Sequence, residues 1–113
     1  MYLIECIKYK IKNIRDFREF KRNGCEQINT LNKYAIQIKN YGLNNINIEC
    51  YNNTIYILNQ WVKYKFWDEQ DEQKIWTLLF DTVYVKNELE EILEEDYYNN
   101  LVEVIKILEK YME

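Results

Sequence analysis

Residues 48–64, IECYNNTIYILNQWVKY, carry the patterning on which the fold turns. Asn52-Asn53 suits a two-residue turn, because asparagine tolerates positive φ. With that turn, Ile55 faces Cys50 and Ile57 faces Ile48. A second such turn at Asn59-Gln60 sets Val62 opposite Ile57 and Tyr64 opposite Ile55, all on one face. A slip of one residue would send each of these side chains to the other face. The shared register predicts a three-stranded antiparallel meander, whose second face carries Tyr56, Leu58, Trp61, Lys63, Lys65 and Trp67.

Before this stretch, Ile28, Leu31, Ala35 and Ile38 recur at steps of three and four, which predicts an amphipathic helix over 25–41 stopped by Gly42. A shorter helix over 14–22 is expected to end at Asn23-Gly24. Ile7, Tyr9 and Ile11 alternate with Lys8, Lys10 and Lys12, so residues 2–12 read as a strand, with a helix as the rival. After the stretch, the run Asp68-Glu69-Gln70-Asp71-Glu72-Gln73 suits the acidic first turn of a helix, continued by a stripe of Ile75, Trp76, Leu79 and Phe80. Val83, Tyr84 and Val85 offer a fourth strand. Asn87 with Glu90 fits a helix start, and apolar residues keep helical spacing from Leu89 to Met112, with a break allowed at Asn99-Asn100. The expected fold is therefore α+β, a three- to four-stranded antiparallel meander packed with helices in the order β-α-α-β-β-β-α-(β)-α. A chain of 113 residues forms one compact domain over 1–113.

Composition restricts the chemistry. The chain has no histidine, no proline and no serine, so serine–histidine and cysteine–histidine nucleophiles and histidine-ligated metals are excluded. Two glycines leave no phosphate-cradling loop. Glu72-Gln73-Lys74, with Asp68 or Glu49 upstream, has the residue types of a metal-dependent nuclease but lies at a helix start rather than in a core strand. Glu94, Glu95 and Asp96 lack the glycine-containing loop of a calcium site. Of Cys6, Cys25 and Cys50, only Cys25 follows basic residues, Lys21 and Arg22, that favour a thiolate. No cofactor, metal or catalytic residue is assigned, and the chain is expected not to be an enzyme. The unpaired cysteines, and the lack of any run near the ~18 apolar residues that span a bilayer, point to a cytoplasmic protein without a membrane partner. It would be host cytoplasm if the protein is viral. Codon-level bias explains the excess of Asn, Ile, Lys and Tyr over Gly, Ala and Arg as the mark of an AT-rich source.

Net charge is −4, yet residues 1–40 carry +5 and residues 41–113 carry −9. Such asymmetry marks an interaction surface. The expected function is a non-catalytic antagonist that binds a macromolecule, of the viral or mobile-element inhibitor (anti-CRISPR-like) or immunity and antitoxin kind. Asp68, Glu69, Asp71, Glu72, Glu91, Glu94, Glu95 and Asp96 would enter the basic groove of a nucleic-acid-binding protein. Trp61, Trp67, Trp76 and Tyr98 would supply the aromatic anchors. Two alternatives stand beside it. One is a single-stranded nucleic-acid-binding module using Trp61, Lys63, Lys65 and Trp67. The other is a small acidic chaperone or assembly subunit, a homodimer through Leu101, Ile105 and Leu108.

Overall fold

The structure, a computed structural model, describes residues 2–87 and 92–112, with side chains of the first helix from residue 14 onward. It is helical throughout, and among the described residues there is no strand. α1 runs Tyr2–Tyr41, a short 3-10 turn spans Leu43–Asn45, and α2 (Ile48–Val62), α3 (Glu69–Asn87) and α4 (Glu94–Met112) follow. The α+β expectation is overturned: this is an antiparallel four-helix bundle.

The correction is sharpest at residues 48–64. The two supposed turns, at 52–53 and 59–60, lie seven residues apart, as do Ile48, Ile55 and Val62. Seven residues are two turns of helix, so the register that linked the hairpins was a heptad repeat. Helical phase places Thr54, Ile57, Leu58, Trp61 and Val62 inside, at steps of three and one that keep one face inward. Asn52 and Asn53 are exposed, where asparagine costs a helix little beyond its modest propensity. The Asn47 side chain accepts from the Glu49 N–H and caps the start. Likewise residues 2–12 are helix rather than strand, and Val83–Val85 close α3. The pair Asn99-Asn100 continues α4 without a break, and α4 begins at Glu94; residues 88–91, with Glu90, lie outside the described residues.

Asn23-Gly24 does not stop α1 either. Gly24 is buried inside it because α4 crosses there: a Cβ would stand 3.0 Å from Met112 Sδ and 3.2 Å from the Phe20 ring. Gly42 is the true stop, as its position after the buried stripe Ile28, Leu31, Ala35 and Ile38 implies.

Side-chain bonds fix the topology. Gln37 meets Cys50 and Gln27 meets Gln60 across α1 and α2, while Lys74 meets Glu103 and Thr82 meets Tyr97 across α3 and α4. In each pair, rising numbers on one helix match falling numbers on the other, so neighbours are antiparallel. α1 also packs on α4 and α2 on α3, closing the ring. One end of the core is aromatic: Phe20 meets Trp61, Tyr64, Phe66 and Trp67 at ring separations of 5.3 to 6.4 Å. Among the described residues, no helix is long and apolar enough to cross a membrane.

Candidate functional site

Helical phase decides which residues of α3 are available. Asp71, Ile75, Leu78, Leu79 and Thr82 turn inward, which leaves Trp76, Phe80 and Tyr84 outward at four-residue steps, one above the other. Trp76 and Phe80 stack with centroids 5.6 Å apart and an interplanar angle of 26°. They remain 38% and 51% exposed, and Tyr84 is 36% exposed. Gln73 and Asn87 extend the stripe without adding charge. On the neighbouring α2 the outward stripe is Glu49, Asn52, Tyr56, Asn59 and Lys63, with Tyr56 64% exposed. Each stripe is largely uncharged and carries exposed aromatics, with charge on the α2 stripe only at its ends. Aromatics with few charges are the composition of a protein-contact core.

The carboxylates expected to act together are divided. Asp68, Glu69, Asp71 and Glu72 lie at the start of α3, and Glu94, Glu95 and Asp96 at the start of the antiparallel α4. One helix length, roughly 28 Å for 19 residues, separates the groups. Glu91 lies outside the described residues. Asp68, Glu69, Glu95 and Asp96 are exposed, Glu72 is half-buried, and two acids serve the fold. Glu94 Oε1 accepts the Leu43 N–H. Asp71 Oδ2 accepts from Lys110 Nζ and from the Tyr111 hydroxyl, each at 2.9 Å, and the Tyr111 oxygen accepts the Asp68 N–H.

Burial works against the Asp71 carboxylate, but the bonds from Lys110 and Tyr111 and the charges of Lys110 and Lys74 outweigh it and hold its pKa below the ordinary value. A folded-state pKa below the unfolded one means stability that is present above the unfolded value, near 4, and lost as pH falls through the folded one. Asp71→Asn is therefore expected to cost about 1 kcal/mol at pH 7. Its unfolding free energy should converge on that of the parent below about pH 4; urea melts at pH 7, 5 and 3 measure this, and a pH-independent difference would remove Asp71 from this role.

The aromatic anchors and the alternative nucleic-acid face change most. Trp61 is 0% exposed, its indole N–H donating to Gln27 Oε1 at 2.8 Å. Trp67 is also buried, donating to the Trp61 carbonyl. Neither ring is presented for base stacking, and with no strand the Trp61, Lys63, Lys65, Trp67 face does not form; only the two lysines are exposed. Tyr98 is half-buried against the core. Leu101, Ile105 and Leu108, expected to join two copies, are buried inside their own bundle. Phe80, Tyr84 and Tyr56 are the residues that sequence reasoning missed.

The remaining reactive groups are quiet. Burial, and then the Glu49 charge, push the Cys50 thiol up. Burial, with Glu19 and Asp16 nearby, pushes Tyr64 up to about 12, beside a cleft that also holds Lys63 and Lys65. Cys25 opens on a groove with Ile28, Asn29, Asn32, Glu109 and Met112. Among the described residues no group of three or more acids or cysteines is placed to hold a metal ion. Comparison of the chain with protein-family models, curated proteins and solved structures finds no match.

Proposed function

We propose that this protein acts by binding another protein, as an antagonist or an assembly subunit that covers a partner's surface, and not by catalysis. The observation that carries the reading is the exposed stack of Trp76 and Phe80, continued by Tyr84 on α3. Exposed aromatics held in one rotameric stack are costly to leave in water and lose little entropy when covered, which is why such residues dominate binding energy at interfaces. The exposed acids Asp68 and Glu69 flank one end of the stripe and favour a basic rim on the partner. The free thiols of Cys25 and Cys50 accord with a cytoplasmic setting.

Low-salt co-purification of the tagged protein from its native host, with nuclease treatment, tests this. A stoichiometric protein should persist after nuclease and be lost with Trp76→Glu or Phe80→Glu, the affinity falling at least roughly 30-fold. Recovery of nucleic acid alone, or a protein retained unchanged by both variants, would refute the reading.

A further inference from the structure

Tyr97, fully buried, shares a hydrogen bond with Thr82, and the half-buried Tyr51 and Tyr111 donate to the Leu43 carbonyl and to Asp71. Tyr64 breaks this pattern. It is only 6% exposed, yet among the described residues its hydroxyl has no hydrogen-bond partner, whereas a buried phenol normally finds one. Its ring is held in place by stacking on Phe66, with centroids 5.5 Å apart at 24°, and by edge contact with Phe20 at 6.4 Å. Tyr64 lines an open cleft of about 470 Å³. Burial, and then the charges of Glu19 and Asp16, raise its pKa to about 12, and both acids line the same cleft. The hydroxyl is therefore aimed into the cleft and remains a donor across the physiological pH range.

The two sides of the cleft carry opposite charge. Asp16 and Glu19 come from α1, three residues apart and so on one side of the helix. Gln60, Lys63, Tyr64 and Lys65 come from the last turn of α2 and the residues just after it. Asp16 Oδ2 accepts the Lys65 N–H at 3.4 Å. Among the described residues the Glu19 carboxylate accepts nothing, and the Lys63 ammonium takes part in no ion pair. The Gln60 amide is fixed by its bonds to Gln27 and Tyr56, so it forms a wall of set orientation.

We propose that this cleft binds a small zwitterion of the free α-amino acid class, its ammonium on Asp16 and Glu19 and its carboxylate on Lys63 and the Tyr64 hydroxyl. A ligand of one sign would meet like charge on one side of the cleft, whereas a zwitterion meets its opposite on both. The volume lies in the range of small-molecule sites and leaves room for a side chain. Because the cleft is open and the ligand has few atoms, a dissociation constant on the order of 0.1–1 mM is expected. The site is separate in its chemistry from the aromatic stack on α3, and its test does not depend on that stack.

Titration of the full chain with each of the twenty proteinogenic L-amino acids, followed by amide chemical shifts, reads the result. At least one should bind and shift the amides around residues 16–19 and 63–65. The methyl ester of that amino acid, which lacks the carboxylate charge, and its N-acetyl derivative, which lacks the ammonium, should each bind at least roughly 10-fold more weakly. Glu19→Gln, Lys63→Gln and Tyr64→Phe should each cost about 5-fold or more in affinity. Tyr64→Phe should leave Tm within about 2 °C of the parent, since the hydroxyl it removes bonds nothing in the fold. Absence of binding by every amino acid at about 10 mM overturns the proposal. So does a blocked derivative that binds as well as its parent amino acid, or an affinity indifferent to the three substitutions. A Tm that falls by about 5 °C or more in Tyr64→Phe would show that the hydroxyl serves the fold, and would overturn it as well.

Discussion

Trp61→Ala should lower the unfolding free energy by about 4 kcal/mol, a large part of the roughly 5–15 kcal/mol that holds a domain of this size. The indole is fully buried, and its edge meets Phe20 with centroids 6.1 Å apart at 78°. Truncation opens a cavity where α1, α2 and the loop to α3 converge, a site walled by rigid rings that collapses poorly. It also removes the first donor of a relay. Trp61 donates to Gln27 Oε1, Gln27 donates to Gln60 Oε1, and Gln60 donates to the Tyr56 hydroxyl. Trp61→Phe separates the two effects, because it keeps most of the ring volume and loses the N–H, and should cost about 1–2 kcal/mol. Urea unfolding followed at 222 nm checks both values. A Trp61→Ala cost under about 2 kcal/mol would mean that the core relaxes around the hole and that Trp61 does not organise it.

That burial also explains why the site was partly misread. A lysine and a tryptophan two residues apart share a strand face, so Trp61, Lys63, Lys65 and Trp67 look like a binding surface only if 61–67 is extended. On a helix, positions 61 and 63 point some 200° apart, and the tryptophan goes inward while the lysine stays out. The ambiguity was physical: residues 48–64 hold three isoleucines and three tyrosines, which favour strands, and their apolar positions satisfy both a two-residue and a seven-residue period. Burial of the 54, 57, 58, 61 stripe against α1 and α3 overrode local preference. Residues 2–12 carried the same two-way ambiguity, whereas over 25–41 a single period was present and could be read. The stripe Ile28, Leu31, Ala35 and Ile38 is inside, and α3 starts within its acidic run.

Asp71 was legible too, had helical phase been followed backward: it lies four residues before Ile75, on the inward stripe, where an acid must find partners. Lys110 and Tyr111 supply them from 39 and 40 residues away, a distance at which no local pattern could have named them. The exposed stack on α3 had the opposite difficulty. Trp76 and Phe80 keep the four-residue step of a core stripe, and only the presence of Ile75, Leu78, Leu79 and Thr82 around the rest of the helix shows that the inward positions are already filled.

Gly42→Ala should destabilise the bundle by about 3 kcal/mol, on the order of 10 °C in Tm. Gly42 adopts φ 87° and ψ 155°, a region that glycine alone enters without strain. A Cβ there would also stand 3.0 Å from Glu94 Oε1, the atom that accepts the Leu43 N–H. The substitution therefore acts twice, by straining the turn and by displacing the carboxylate that ties the end of α1 to the start of α4. A double-mutant cycle with Glu94→Ala divides the two. With the carboxylate gone the clash disappears and only the backbone term, about 2 kcal/mol, should remain. Full additivity of the two substitutions would show that the carboxylate swings aside freely and that the turn alone carries the cost. The sign of the coupling has a structural consequence. Tyr51 donates its hydroxyl to the Leu43 carbonyl, so Leu43, itself buried, is held through its N–H by α4 and through its C=O by α2. A strained Gly42 loosens three helices at one end of the bundle, and hydrogen exchange at the Leu43 amide should accelerate by more than the global destabilisation explains.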